Sequence, residues 1–253
     1  MKDIMSLSNK RVLITGASSG IGKETAILLS KLGAQLVMVA RSKEKLEDVL
    51  LNLKGDKHKF YCYDLKNLEG IESLIKQIVS ENGAIDGFVH SAGIGNTRPL
   101  KMMKPDFLRE VMEINFNSFV EITRCITKKS FFNENMSIVG ISSIASVQGN
   151  QSKTAYCASK AAMDAAIRCM AKELAPKKIR VNSVMPGLIK TDIFEAFLDR
   201  SVDSEDAKNI MARQYLGMGE PIDIANMIAY LLTDLSKFIT GTSIPIDGGR
   251  LSS

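Results

Sequence analysis

"RVLITGASSGIG" (residues 11–22) decides how the rest of the chain is read. Its first five residues form a near-continuous apolar run, the pattern of a strand buried on both faces of a sheet. Gly16, Gly20 and Gly22 follow at once, and "GKETAILLSKLG" (22–33) then places apolar residues at helical spacing up to Gly33, a stop signal. A strand that enters a helix through a glycine-rich turn brings unpaired backbone N–H groups and the positive end of a helix dipole to one point. That point suits a pyrophosphate, and glycine lets the backbone turn tightly and approach the anion. The spacing is GxxxGxG, not the GxGxxG of the general dinucleotide fingerprint, and the difference carries information.

Working outward, the same alternation continues to the end of the chain. Residues 35–40, 58–62, 86–90, 136–142, 179–185 and 242–247 read as strands. Between them, residues 43–53, 68–83, 106–126, 156–174 and 221–232 read as helices, the fourth ending near Pro176 and the last carrying Pro221 near its first turn. Apolar strands separated by helices predict a doubly wound α/β fold, one parallel sheet with helices on both faces. No Pro-rich, Ser-rich or repetitive stretch suggests a boundary, so residues 1–253 are expected to form a single domain. Residues 188–217 fit this alternation worst and are expected to form a helical substrate lid within it.

Composition narrows the partners. The formal charge is +5, from 33 basic and 28 acidic residues spread along the chain. That excess is too weak and too dispersed for nucleic acid, although it favours a small anion. No run approaches the roughly 20 apolar residues of a membrane span, and the N-terminus lacks a secretory pattern. The four cysteines fall in no CxxC spacing, which predicts a reduced, cytoplasmic protein. With two histidines, His58 and His90, and no Cys/His cluster, no metal site is expected.

"YCASK" (156–160) sets a tyrosine and a lysine one helical turn apart. By itself the pair is ordinary. Together with "TGASSGIG" (15–22), "SAG" (91–93), the Asn of "EINFNS", "ISS" (141–143), "VNSVMPGLIKT" (181–191) and "ITGTSIPIDGG" (239–249), it resembles the short-chain dehydrogenase/reductase family in its roughly 250-residue branch. The resemblance covers nearly the whole chain. It implies a catalytic set of Asn115, Ser143, Tyr156 and Lys160. Carbonyl reduction needs a hydride and a proton; a phenol with an unperturbed pKa of about 10 becomes a usable acid and base if a nearby ammonium and an oxidised nicotinamide lower that value. Tyr156 is then the proton donor, Lys160 its partner and a hold on the nicotinamide ribose, and Ser143 a hydrogen-bond donor to the substrate oxygen. Asn115 is implied to position a water.

The resemblance also implies the cofactor contacts. Gly16, Ser18, Ser19, Gly20, Ile21 and Gly22 form the glycine turn, Asp64 and Leu65 lie by the adenine, and Ser91, Ala92 and Gly93 follow the fourth strand. Pro186, Gly187, Ile189 and Thr191 are expected by the nicotinamide. The second strand ends in Ala40, Arg41 and Ser42, with no carboxylate to bind ribose hydroxyls or repel a 2′-phosphate. Arg41 can offer that phosphate a fork of donors, so NADP(H) is expected over NAD(H). One departure stands out: the family often has Asn-Asn-Ala-Gly where this chain has His90-Ser91-Ala92-Gly93. His90 reads as a structural strand-end residue.

The implied activity is an NADP(H)-dependent oxidoreductase acting on a carbonyl/alcohol pair, similar to the 3-oxoacyl-carrier-protein reductases, with Lys177 and Lys178 as candidate basic residues facing an acidic carrier. Hydroxysteroid, sugar or other small-alcohol substrates, a catalytically silent nucleotide-binding regulator, and an epimerase or dehydratase of the same superfamily are the alternatives. The family's habit implies a homodimer or homotetramer.

Overall fold

The computed structural model describes residues 4–191 and 213–252. The first apolar run is strand β1 (Arg11–Thr15), and the helical repeat behind the glycine turn is α1 (Gly20–Lys31). The alternation then runs β2 (Gln35–Ala40), α2 (Lys43–Leu51), β3 (Lys59–Cys62), α3 (Ile71–Asn82) and β4 (Ile85–His90). Next come α4 (Pro105–Met112), α5 (Ser118–Ile126), β5 (Phe132–Ile141), α6 (Thr154–Leu174), β6 (Arg180–Pro186), α7 (Pro221–Leu232) and β7 (Ser243–Ile246).

All seven strands are parallel in the order β3-β2-β1-β4-β5-β6-β7. The doubly wound expectation holds. Alternate residues of each strand feed opposite faces. In β1, Val12 and Ile14 pack with α1 and α7 residues such as Leu29, Ile224 and Ile228. Leu13 packs on the other face with Ile75 of α3, Phe119 of α5 and Ile167 of α6. These side chains are fully buried, each stabilising the fold by about 1.5–3 kcal/mol. The chain passes from β3 to β4 across β1 and β2, so successive crossovers diverge on either side of β1 and β4. The carboxyl ends of those strands leave a crevice there.

Two elements differ from the sequence reading. Residues 106–126 were expected as one helix. Instead, a π-helical segment, Glu113–Asn117, separates α4 from α5, with the Ser118 N–H bonded back to the Glu113 carbonyl. The widened turn swings Asn115 inward, where it is fully buried. Strand β5 also begins earlier, at Phe132, and pairs with β4 across a register shift between Ile85 and Gly87.

Of the expected lid, only residues 188–191 and 213–217 are among those described. Gln214 ties these two legs together. Its amide accepts from the Leu188 N–H at 2.8 Å and donates to the Leu188 carbonyl at 3.0 Å. No described helix is long and apolar enough to cross a membrane.

Candidate active site

A cleft of about 590 Å³ opens over the carboxyl ends of the central strands. Its volume lies within the usual range for a small-molecule or cofactor site.

One end is built from backbone. Gly16 has φ +67°, and a Cβ placed on it would lie 2.6 Å from the Ala92 nitrogen. A Cβ on Gly22 would lie 2.2 Å from the Gly16 carbonyl oxygen. Only glycine permits this packing of turn, helix and β4 exit. Helix α1 starts with Ser19 making no side-chain cap bond and no acidic residue in its first turn. Its N–H groups and dipole are therefore available to an anion, which is the fit a nucleotide pyrophosphate requires. Ser18, Ser19, Gly20 and Ile21 line this end of the cleft, with Arg41 at the exit of β2. Asp64 and Leu65 line it as well, Asp64 also accepting the Lys66 N–H at 3.0 Å.

Two expected contacts fall outside the cleft wall. Gly22 is a packing residue buried behind the turn. Ser42 caps α2, its hydroxyl oxygen accepting the Lys45 N–H at 3.3 Å and its proton going to Glu44.

The other end is built from four side chains that three elements deliver. Tyr156 and Lys160 lie in the first two turns of α6, and Ser143 follows β5. Lys160 is buried; its Nζ donates to the Ile141 carbonyl at 2.7 Å and lies 5.8 Å from the Tyr156 ring centre. Asn115 reaches them from the π segment. Its Oδ1 accepts the Ile94 N–H at 2.8 Å, and its Nδ2 donates to the Ile94 carbonyl and the Ser159 hydroxyl, each at 3.0 Å. All four expected residues converge, though Asn115 sits behind the cleft wall and acts on its shape. A Cβ on Gly93 would stand 3.3 Å from Asn115 Oδ1 and 3.5 Å from Lys160 Nζ, so the lysine and the amide meet beneath that glycine. Pro186, Gly187, Ile189 and Thr191 line the cleft as well, as do Ser91, Ala92 and Gly93.

The electrostatics depart from expectation at one point. Burial pushes the Tyr156 phenol up from its ordinary value, with the Ser143 hydroxyl pulling the other way. Burial pushes the Lys160 ammonium down to about 8, opposed by the Asp164 carboxylate. The protein alone therefore keeps the phenol protonated, where a lowered value was expected. A desolvated lysine partner does not outweigh the loss of water around the phenol.

His90 is fully buried, as expected of a structural residue. Its Nδ1 pairs with the Thr15 hydroxyl at 2.9 Å, while Nε2 has no hydrogen-bond partner. Burial first, then the nearby Lys160, push it down to about 3, so the ring is neutral.

Sequence reasoning missed Lys153, Gln148 and Arg250, all of which line the cleft. Lys153 stands 5.6 Å from the Tyr156 ring centre, on the α6 N-terminal side. Its position three residues before Tyr156, just under one helical turn, was the available signal; Arg250, far away in sequence, had none. Lys177 and Lys178, expected to face a carrier, lie away from the cleft. They follow the carboxyl end of α6, roughly 30 Å along the helix from Tyr156, and bind the Thr127 carbonyl and Glu134. Elsewhere Glu72, Glu121 and Cys125 converge, but Lys76, Arg124 and Lys128 already pair with those carboxylates.

Residues 16–250 match the family described as enoyl-(acyl carrier protein) reductase. The chain is 34% identical over 247 residues to 3-oxoacyl-(acyl-carrier-protein) reductase of Thermotoga maritima, covering 97% of this chain and 99% of the relative. A short-chain type dehydrogenase/reductase from Mycobacterium marinum superposes with a TM-score of 0.89 at 32% identity, covering 99% of each chain. A variant of actinorhodin polyketide ketoreductase solved with NADPH has a TM-score of 0.89 at 28% identity, over 95% of this chain and 97% of the other.

Proposed function

The chain belongs to the short-chain dehydrogenase/reductase family, and from that membership we propose that it is an NADP(H)-dependent reductase of a carbonyl group, with a carrier-linked 3-oxoacyl thioester as its preferred substrate class. The observation that carries the reading is the convergence of Ser143, Tyr156 and Lys160 at one end of a cleft whose other end is a glycine turn.

When bound, the nicotinamide supplies the hydride. The glycine turn and the α1 N-terminus would hold its pyrophosphate, and Arg41 would take its 2′-phosphate. The chain's own residues manage the oxygen. Ser143 donates a hydrogen bond to the substrate carbonyl oxygen and stabilises the negative charge that develops there. Tyr156, kept protonated by burial, gives its phenolic proton to that oxygen, so a C=O bond plus hydride plus proton becomes CH–OH. The phenolate left behind faces the Lys160 ammonium, which opposes its charge and is held on the Ile141 carbonyl.

The names of the relatives support the 3-oxoacyl substrate. All four cysteines are free, which supports a reducing compartment such as the cytoplasm. The exposed Leu235 and Phe238 beside β7 support a homodimer or homotetramer.

The test measures turnover of a 3-oxoacyl thioester with NADPH by wild type and Tyr156→Phe, alongside NADPH affinity. The expected result is turnover by wild type and a loss of about 10³-fold in kcat with affinity retained. Undiminished turnover by Tyr156→Phe removes the catalytic assignment. Reduction of small ketones with no thioester turnover removes the substrate class alone.

A further inference from the structure

Asp164 is a buried carboxylate that the mechanism above leaves without a task. It lies on α6 four residues after Lys160, on the same helix face and about one turn further from the cleft. Both residues are buried. Its two oxygens are taken by two hydroxyls from two strands. Oδ2 accepts from Ser142 at 2.8 Å, and Oδ1 accepts from Ser183 at 2.7 Å. The Ser183 hydroxyl also lies within donating distance of the Ser243 hydroxyl, at 2.8 Å. Each serine hydroxyl can give its proton to the carboxyl group.

The bond to Ser142 has a geometric consequence. Ser142 lies between Ile141, whose carbonyl receives the Lys160 ammonium, and Ser143. The Ser142 N–H is bonded to the Val184 carbonyl at 2.9 Å, and its hydroxyl also lies 3.4 Å from the Lys160 carbonyl. The segment 141–143 is therefore strapped to α6 at the point where the helix carries Lys160. Ser183, on β6 three residues before Pro186, extends the strap toward the nicotinamide side of the cleft.

We propose that Asp164 is a positioning residue for the reacting centre: its carboxylate straps the 141–143 segment to α6 and places a buried negative charge one helical turn from Lys160. This rests on the reading of Tyr156 and Lys160 as the reacting pair. Among the described residues, the charged or titratable groups around that pair are few. From α6 they are Asp164, Lys153 and Cys157, and from β4 the neutral His90. Strands β5 and β6 contribute the Ile141 carbonyl and the hydroxyls of Ser142 and Ser183. Asp164 is the one carboxylate in the set. Its removal makes the local potential more positive. That disfavours the ammonium and favours the phenolate, so both groups of the pair lose their protons at lower pH.

Asp164→Asn is nearly isosteric and can keep both serine contacts, since its amide donates to one and its carbonyl accepts from the other. Two readouts are taken. One is the ultraviolet titration of the Tyr156 phenol, read as the difference from Tyr156→Phe in each background, which needs no turnover. The other is the alkaline limb of the reductive pH profile. Both are expected to move down by about one pH unit, with NADPH affinity unchanged. A folded Asp164→Asn with both curves in place overturns the proposal. If wild type turns over no carbonyl substrate while the phenol titration still shifts, the reductase reading fails and the role of Asp164 stands. Ser142→Ala cuts the strap and leaves the charge. It is expected to lower kcat about tenfold with the alkaline limb in place. It also carries the test if Asp164→Asn fails to fold, when an unchanged kcat overturns the proposal.

Discussion

The two ends of the cleft are made of different material. At the nucleotide end the working groups are backbone: the turn at Gly16, the N–H groups of α1 and the strand exits around Ser91–Gly93. At the reacting end they are side chains delivered by the π segment, by β5 and by two turns of α6. A backbone site is fixed once the fold forms, since the same peptide groups that hold the sheet also frame the ligand. A side-chain site has to be oriented separately, through contacts such as Lys160 on Ile141 and Asn115 on Ile94. Substitutions at the two ends should therefore fail in opposite ways, binding at one and chemistry at the other.

The sharpest way to break this contrast is Gly16→Ala. Its φ of +67° and the 2.6 Å approach to the Ala92 backbone leave no room for a methyl group. We expect NADPH affinity to fall at least about 100-fold, from strain of a few kcal/mol placed directly on the binding turn. At saturating cofactor, kcat should stay within a few-fold of wild type, the reverse of Tyr156→Phe. Isothermal titration and saturation kinetics together check it. A variant that binds normally and turns over slowly would mean that the turn serves the chemistry instead.

A smaller effect is expected at Arg41, the one side chain at the nucleotide end given a selective role. It lines the cleft at the exit of β2 and is exposed. Loss of a charge-assisted pair in Arg41→Ala should lower the NADPH/NADH ratio of kcat/KM by about 10- to 100-fold, leaving NADH kinetics nearly unchanged. An unchanged ratio would assign the selectivity to other residues, and the contrast between backbone affinity and side-chain choice would need redrawing.

The two ends were also unequally legible in the sequence. Strand and helix order, the sheet class and the glycine turn follow from local patterns: apolar runs, helical spacing, and glycine where the chain must turn from strand to helix. The tyrosine and lysine were visible because they share one helix. The widened turn at Glu113–Asn117 was not visible, since its residues are compatible with an ordinary helix and the partners of Asn115, Ile94 and Ser159, lie far away in sequence. Nor were Arg250 in the cleft wall, Asp164 between two strands, or the burial that raises the Tyr156 phenol. Each depends on which residues distant in sequence come to surround a group, and spacing does not record that. Lys177 and Lys178 show the converse. Adjacent in sequence to α6, they lie at the end of it far from Tyr156.

His90 is where the two ends meet, and it offers the finest test. It stands at the last position of β4, paired in register with Thr15 just before the glycine turn and with Gly140 on β5. Its Nδ1 bonds Thr15, its ring packs against Phe88 and Phe119, and the Ile114 carbonyl of the π segment lies on its other side. An imidazole here is bonded to Thr15 before the glycine turn and sits against the segment that holds Asn115, and burial keeps it neutral down to about 3 from an ordinary 6.5. The sign of the linkage follows. The unfolded chain takes up a proton below about pH 6.5 that the folded chain refuses until near pH 3, so acid draws the equilibrium toward unfolding across that window. The slope from this one group approaches 1.4 kcal/mol per pH unit. His90→Asn, which restores the amide common in the family at this place, should flatten the fall of stability between pH 6 and pH 4 by up to about that slope. Denaturant midpoints measured at each pH read it. If the two proteins lose stability in parallel, His90 is protonated in the fold, and the charge it then carries beside Lys160 would have to be counted in the chemistry of the reacting end.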